Sequence, residues 1–356
     1  MMLYRAVAAA VVLFAVALTV GLAWFMTQTP GSVLTEEPER RIEPIAASGP
    51  PVVVTVKPGD SAKTIGAALE QKGVIRSKRL FEIMVGLTGV TNSLQAGEYE
   101  FDLGTPVIEV VHRIAEGKTA SREAVIPEGR RVEEVGEILE KAGVVTKQAF
   151  LDALVKSRYS EPFLQQVVAT SLEGFVFPAK YEFHRGAAPE EVVATLLHGF
   201  QTNVADNVQL EGQELTLEQV VTLASIVERE AQTPSERPII ASVFLNRLKA
   251  GIPLQADPTV QYAVAADTAS VQQYTYWKKE LTVDDLKIDS PYNTYVYGGL
   301  PPGPIANPGL ASIQAVVRPA QTNYLFFVAG ADGTHVFAET LGEHLRNVEK
   351  YRQQQQ

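Results

Sequence analysis

Apolar and polar positions fall along this chain in distinct regimes. From Ala6 to Met26 there is an uncharged run of 21 residues, and as a helix it spans about 30 Å, the thickness of a hydrocarbon core. Trp24 lies near one end of it, where an indole suits the interface. No small-x-small cleavage site follows, so the pattern predicts an uncleaved single transmembrane helix over 6–26 rather than a signal peptide. The head of residues 1–5 carries Arg5 and the amino group, while Arg40 and Arg41 lie beyond the run. A head so short stays in the cytoplasm, which puts the rest of the chain on the far side of the membrane. Residues 27–50, rich in Pro, Glu, Thr and Ser without periodicity, read as a linker.

From residue 51 amphipathic helical spacing takes over, and it is duplicated. Val56-Lys-Pro-Gly59, Ile65-Gly66, Leu69-Glu70 and Gly73-Val74-Ile75 recur as Ile126-Pro-Glu-Gly129, Val135-Gly136, Leu139-Glu140 and Gly143-Val144-Val145, at a constant offset of 70 residues. Each copy predicts a strand, a glycine turn, an amphipathic helix closed by glycine, and a further helix, over 78–87 in the first and 147–156 in the second. Helices are then expected over 215–231 and 236–250, the latter stopped by Gly251. Asp257-Pro258 opens another, with Asp257 as N-cap and Pro258 at the first helical position. Residues 298–309 form a Pro/Gly loop too stiff for a helix. Residues 324–329 and 335–340, joined around Asp332-Gly333, make a β-hairpin, and 341–352 a closing polar helix. The fold class is α+β.

Composition narrows the chemistry. A net charge of −10 argues against nucleic acid, which needs a basic face. The chain has no cysteine, which excludes disulfides, thiol catalysis and cysteine-based metal sites. His112, His184, His198, His335 and His344 show no ligand spacing, and no nucleotide or serine-hydrolase fingerprint occurs, so neither a metal nor a cofactor is expected.

The candidate chemistry sits at the ends of apolar helices. On the helix from 215, Glu228 continues the Leu217/Val221/Ala224 stripe and Glu230 the Val220/Leu223/Val227 stripe. An acid in apolar surroundings tends to be held neutral, as general acid catalysis requires, and periodicity marks both acids without choosing between them. Arg229 follows Thr222 and Ser225 and is expected to face water. On the next helix Asn246 and Arg247 continue apolar stripes and need partners, for which a carboxylate of the preceding helix would serve. Thr233-Pro-Ser-Glu236 fits a capping box. Tyr262, Tyr292, Tyr295, Tyr297 and Trp277 offer flat faces of the kind sugars stack upon, though packing explains such aromatics as well.

The first copy of the repeat, completed by Leu94-Gln-Ala-Gly97-Glu-Tyr99, resembles a LysM-like module, the kind that reads N-acetylglucosamine chains. The whole pattern is similar to the MltG/YceG-like endolytic murein transglycosylases. It rests on Leu172-Glu173-Gly-Phe-Val-Phe-Pro178, Leu223-Ala-Ser-Ile-Val-Glu228-Arg-Glu230, Ser235-Glu236-Arg237, Ala241-Ser-Val-Phe-Leu-Asn246-Arg247-Leu248, Leu254-Gln255-Ala-Asp257-Pro-Thr-Val-Gln-Tyr262, Ser290-Pro-Tyr292-Asn293-Thr294-Tyr295 and Gly299-Leu-Pro-Pro-Gly303-Pro-Ile-Ala-Asn-Pro-Gly309, in order.

The resemblance implies a LysM-like module over 51–118 and a YceG-like α+β catalytic domain over 119–350. It also implies a single-pass inner-membrane protein with its catalytic domain on the periplasmic side, acting on peptidoglycan glycan strands and associated with peptidoglycan synthases. Glu228 becomes the catalytic acid, which cleaves the β-1,4 bond between N-acetylmuramic acid and N-acetylglucosamine to leave a 1,6-anhydro end. Glu230, Glu236, Asn246, Arg247, Gln255, Asp257, Tyr292, Asn293 and Thr294 become cleft residues. Two rival readings are a muramidase that uses water, with Glu230 or Glu236 as its second carboxylate, and a non-enzymatic glycan-binding scaffold. The chain departs from the family at Ala179-Lys180, where Asp-Thr is usual, and at Leu345, where Asn is common.

Overall fold

The computed structural model describes residues 50–210, 214–330 and 333–354. The expected membrane helix of 6–26 and the linker up to residue 49 lie outside the described residues. Among the described residues no helix is long and apolar enough to cross a membrane. The architecture of the described residues is α+β, with three separate two-stranded antiparallel sheets among many helices.

The duplicated pattern folds as two copies of one unit. In the first, β1 (Val52–Val56) pairs with β2 (Gly97–Phe101). Between them run α1 (Ala62–Gln71) and α2 (Lys78–Thr88), and α3 (Val107–Ala115) follows. In the second, β3 (Ser121–Val125) pairs with β4 (Lys180–His184), enclosing α4 (Val132–Lys141) and α5 (Lys147–Ala153), and α6 (Pro189–Phe200) follows. The helix expected to reach residue 156 stops at Ala153, because Leu154 leaves helical geometry with ψ of 52°.

The likeness extends to packing. A Cβ on Gly66 would come within 3.2 Å of the Phe81 ring, and one on Gly136 within 3.3 Å of Phe150, so a bare backbone lets each helix pair close. The Tyr99 hydroxyl donates to the Gln95 carbonyl at 2.8 Å and that of Tyr181 to the Phe177 carbonyl at 2.8 Å. Each tyrosine stacks on a phenylalanine two residues on, Phe101 or Phe183. The repeat therefore covers a whole βααβα unit. Its second half is hidden in the sequence because the connection before β4, residues 154–179, is much longer than its counterpart, residues 89–96, in the first copy.

That longer connection is where the second copy acquires its distinctive loop, Leu172–Pro178. Glycine is required at its apex. Gly174 has φ of +88°, and a Cβ there would lie 2.4 Å from Pro304 Cβ and 3.0 Å from Val221 Cγ1. Gly174→Ala is expected to lose about 2–5 kcal/mol, from left-handed strain of about 1–2 kcal/mol and overpacking of about 1–3 kcal/mol. Urea unfolding measures it, and an unchanged midpoint would contradict the close packing of the 301–305 loop on this turn.

Buried apolar residues form two clusters. One holds residues from Val54 to Ile114, including Phe81, Tyr99 and Phe101. The other runs from Ala124 to Val317, and Phe163, Phe175 and Phe200 meet at its centre with centroids 4.7–5.6 Å apart. Through this second core passes α7 (Leu217–Glu230), begun by a capping box in which Thr216 and Gln219 exchange hydrogen bonds. It packs against α8 (Arg237–Ala250), α9 (Asp257–Val264) and α11 (Leu310–Val317). All residues from Val220 to Val227 are buried, Thr222 and Ser225 included, so this is a central helix and its apolar stripes do not define one face. A short α10 (Thr268–Tyr274) follows α9. The hairpin appears as β5 (Phe326–Ala329) and β6 (His335–Ala338), and α12 (Leu341–Gln354) closes the described chain. Asp332 of its turn lies outside the described residues.

Two terminus assignments need correction. Asp257 is the first residue of α9 rather than its N-cap, which is Ala256; its carboxylate accepts the Tyr295 hydroxyl at 2.6 Å. No capping box forms at Thr233, whose side chain caps nothing. Glu236 turns instead to the hairpin, accepting the backbone N–H of His335 at 2.8 Å and facing His335 Nδ1 at 2.8 Å.

Candidate functional site

The last turn of α7 carries Glu228, Arg229 and Glu230, and the structure gives each a different surrounding. Glu228 points to the N-terminus of α11. Its Oε2 accepts the backbone N–H of Gly309 at 3.1 Å and the hydroxyl of Ser312 at 2.7 Å, and its Oε1 faces Arg237 Nη2 at 3.2 Å. Only 7% of the side chain is exposed. The unpaired N–H groups and dipole of a helix start suit an anion, and Arg237 adds a full positive charge. The expected apolar pocket is thus absent from the carboxylate itself: the helix is apolar, but its end delivers Glu228 among donors. Arg237 Nε, also buried, meets no acceptor.

Arg229 does not face water. Its guanidinium lies 3.8 Å over the Trp277 ring and reaches the Gly129 carbonyl at 3.4 Å. Trp277 is held in turn by Glu134, which accepts its indole N–H at 2.9 Å. That aromatic face is therefore taken by a cation. Tyr262 is similarly occupied, by Arg131 at 4.1 Å and by the Tyr292 ring at 4.7 Å.

Glu230 opens onto a cavity of about 410 Å³ whose walls include Arg247, Gln255, Asp257, Tyr295 and His335. Burial, with the neighbouring Asp257 adding to it and Arg229 opposing, pushes the Glu230 carboxyl up to about 8. Gln255 has φ of +50°, a left-handed backbone rare for glutamine, held by its N–H donating to the Thr294 carbonyl at 3.1 Å. Arg247 was expected to find a carboxylate of α7. It donates instead to the carbonyls of Leu325 (2.6 Å), Pro253 (3.1 Å) and Leu254 (2.8 Å), tying the hairpin and the loop before α9 to α8.

The remaining sequence candidates stand behind these walls. Asn246 spends its amide on the Thr322 and Tyr324 carbonyls. Asn293 and Thr294 are buried, the first donating to the carbonyls of Leu286 and Ile288, the second accepting the Ala256 N–H at 3.0 Å. Tyr292 packs on Tyr262, and Glu236 anchors His335. The structure thus brings Glu230, Arg247, Gln255 and Asp257 to one cavity, and keeps Glu228, Glu236, Asn246, Tyr292, Asn293 and Thr294 out of its lining.

Sequence reasoning did not single out two acids. Glu128 comes from the glycine turn of the second repeat, at the position of Pro58 in the first. The turn is stapled to the 298–309 loop: Gly129 N–H donates to the Asn307 carbonyl at 2.8 Å and Asn307 N–H to the Arg130 carbonyl at 2.8 Å. This lays the Glu128 carboxyl against Gly309, the residue whose N–H binds Glu228; a Cβ there would fall 1.9 Å from Glu128 Oε1. Glu128 is an exposed residue whose carboxyl end is partly desolvated. That desolvation first, then the charge of Glu228, raises its pKa against the pull of Arg237.

The other acid is Glu173, 2% exposed, which accepts the Val132 N–H at 3.1 Å and the Asn307 amide at 3.1 Å. Its signal was the break between the two repeats, since the connection that carries it is much longer than the corresponding one in the first copy. Ala179 precedes β4 and Lys180 is its first residue, exposed and paired with Glu123. Among the described residues no group of three or more histidines and acids is placed to hold a metal ion.

The model of the YceG-like family matches residues 54–350. The chain is 31% identical over 326 residues to the endolytic murein transglycosylase of Bacillus subtilis (strain 168), covering 87% of this chain and 88% of that protein. It is 26% identical to the endolytic murein transglycosylase of Streptococcus pneumoniae serotype 2 (strain D39 / NCTC 7466), covering 84% of this chain and 58% of that longer protein. A crystal structure of a YceG-like protein from Listeria monocytogenes superposes with a TM-score of 0.56 at 32% identity, over 83% of this chain and 98% of that one.

Proposed function

The chain belongs to the YceG-like family, and from that premise and the setting of Glu228 we infer that it is an endolytic lytic transglycosylase of peptidoglycan. It cleaves the β-1,4 bond between N-acetylmuramic acid and N-acetylglucosamine within nascent strands, ending their elongation with 1,6-anhydro-muramic acid. The reaction breaks C1–O4 and forms C1–O6. One proton must reach the leaving O4 and one must leave the C6 hydroxyl, and no water is consumed. Because the nucleophile belongs to the substrate, the chain need supply acid–base chemistry only.

The observation that carries the site assignment is Glu228, delivered by a buried helix and fixed on both oxygens by Arg237, Gly309 and Ser312. The neighbouring cavity of Glu230, Arg247, Gln255 and Asp257 supplies donors and acceptors at the scale of sugar hydroxyls and acetamido groups, and orients the strand. Glu236, Asn246, Tyr292, Asn293 and Thr294 act from behind, fixing the loops that form it.

Two finer parts of the reading rest on sequence. The apolar run of 6–26 anchors the protein in the inner membrane with the catalytic domain on the periplasmic side, beside the peptidoglycan synthases whose product it cuts. Residues 51–118 form a LysM-like module, a reading supported by their compact unit with a hydrophobic core of its own.

The full-length chain in detergent, incubated with uncrosslinked glycan strands, is expected to release internal fragments ending in 1,6-anhydro-muramic acid, read by mass spectrometry as one water lighter than hydrolytic products. Reducing ends would make it a muramidase. Intact strands that remain bound would make it a scaffold.

A further inference from the structure

The duplicated unit provides its own comparison. Helices α2 of the first copy and α5 of the second begin alike: the Ser77 side chain accepts the Leu80 N–H and that of Thr146 the Ala149 N–H, and Phe81 and Phe150 close on Gly66 and Gly136. Their outer faces differ. In α2, Leu80, Ile83 and Leu87 are 46%, 53% and 77% exposed and recur at helical spacing on the side away from the buried Phe81 and Val85. At the matching positions α5 has Ala149 and the exposed Asp152, and it ends before a third. The fold therefore does not require large apolar residues there, and the described chain leaves this stripe uncovered.

Basic residues border the stripe. Arg76 precedes the Ser77 cap, and Lys78 and Arg79 open the helix. All three are exposed, and their side chains meet no carboxylate among the described residues. The second copy has Gln148 in place of Arg79 and no counterpart of Arg76. With residues 6–26 in the bilayer, as inferred above, residues 27–49 lead from the anchor to this unit. A flexible chain of that length averages about 25–30 Å between its ends, so the unit is held at high effective concentration over a lipid surface. Leucine and isoleucine bordered by cations match the two parts of such a surface, acyl chains and anionic headgroups.

We propose that α2 is a second membrane contact: Leu80, Ile83 and Leu87 enter the interface of an anionic phospholipid bilayer, while Arg76, Lys78 and Arg79 meet its phosphates. The proposal rests on the anchor reading. It gives the first unit a fixed orientation on the bilayer, and so sets the height at which the chain meets newly made strands.

Because the chain has no cysteine, Leu87→Cys takes a single fluorophore. The full-length chain so labelled is reconstituted in bilayers containing doxyl phosphatidylcholine, with and without phosphatidylglycerol, beside a chain labelled at Val168→Cys, an 89% exposed apolar position outside the first unit. The Leu87→Cys label is expected to shift to the blue and to be quenched by the doxyl lipid, more strongly with phosphatidylglycerol, while the Val168→Cys label is not. Leu80→Ser with Ile83→Ser should abolish the quenching, and Arg76→Ser with Arg79→Ser its dependence on phosphatidylglycerol. All four replace exposed side chains, so an unchanged melting temperature is expected and checks that the unit is folded. Absence of quenching in a chain that floats with the bilayer after a high-salt wash would overturn the proposal alone. A chain that fails to float would overturn the anchor reading, and the proposal with it. Quenching that is equal without phosphatidylglycerol would overturn the part given to the basic residues. Shielding of the label from iodide in detergent, growing with protein concentration or on addition of glycan strands, would assign the stripe to a second copy or to sugar and overturn the proposal as well.

Discussion

Glu228→Gln is expected to stop strand cleavage, with turnover falling by about 10²–10⁴-fold, or roughly 3–5 kcal/mol in the barrier, while the protein stays folded. The amide matches the carboxylate in shape and keeps one oxygen for the Gly309 N–H and the Ser312 hydroxyl. What it cannot do is give or take a proton at neutral pH. Its NH2 would face Arg237 Nη2, now 3.2 Å from Oε1, so two donors meet where an ion pair stood. The side chains are 7% and 15% exposed, and loss of a buried pair costs more than loss of a surface one. A modest drop in melting temperature is therefore expected alongside the loss of activity. Thermal unfolding and mass spectrometry of digested strands, run on one preparation, separate the two effects. Retention of near wild-type turnover in a folded variant would dismiss Glu228.

The contrast among Glu228, Arg229 and Glu230 shows how far the sequence could be read. That acids end a strongly apolar helix was visible, because α7 is apolar over nearly its whole length and its start carries Thr216 and Gln219 in capping positions. Which acid does what was not visible. Helical periodicity assigns residues to faces, but a helix buried on all sides has no solvent face against which to sort them. Arg229 was assigned to water by its phase with Thr222 and Ser225, and both of those are buried as well. The decision lies with segments far away in the chain: Trp277 stacks on Arg229, the start of α11 receives Glu228, and Asp257 crowds Glu230.

The same division holds for the repeat. Its glycine spacing was legible because local sterics enforce it, as at Gly66 and Gly136. That the second turn would carry Glu128 to Gly309 was not, since nothing local distinguishes an acid on a turn from any exposed glutamate. The Pro/Gly composition of 298–309 announced an irregular loop. Only the fold reveals that Asn307 makes it a hub, accepting from Val176 and donating to Arg130 and Glu173.

That hub has a consequence for stability against pH. Burial, with Glu133 reinforcing it and Arg131 and the Val132 N–H opposing, pushes the Glu173 carboxyl up to about 8 from an ordinary value of 4.5. Its pKa is raised on folding, so the native state holds a proton that the unfolded chain has already released. The stability it contributes is fully present below about pH 4.5 and is lost as pH rises toward about 8, by an amount of the order of a few kcal/mol. The wild type is expected to melt at progressively lower temperature between pH 5 and pH 8. Glu173→Gln is neutral throughout and keeps an oxygen for the Val132 N–H and the Asn307 amide; it should flatten that decline and be more stable than wild type at pH 8. Thermal unfolding at pH 5, 6.5 and 8 reads the difference, and a variant with the full wild-type slope would show that Glu173 does not titrate there. Glu230, also pushed up to about 8, falls in the same window, so part of the slope should survive in Glu173→Gln. Adding Glu230→Gln should remove that remainder, because the two acids are buried in different surroundings, one among Val132 and Asn307, the other in the cavity with Asp257.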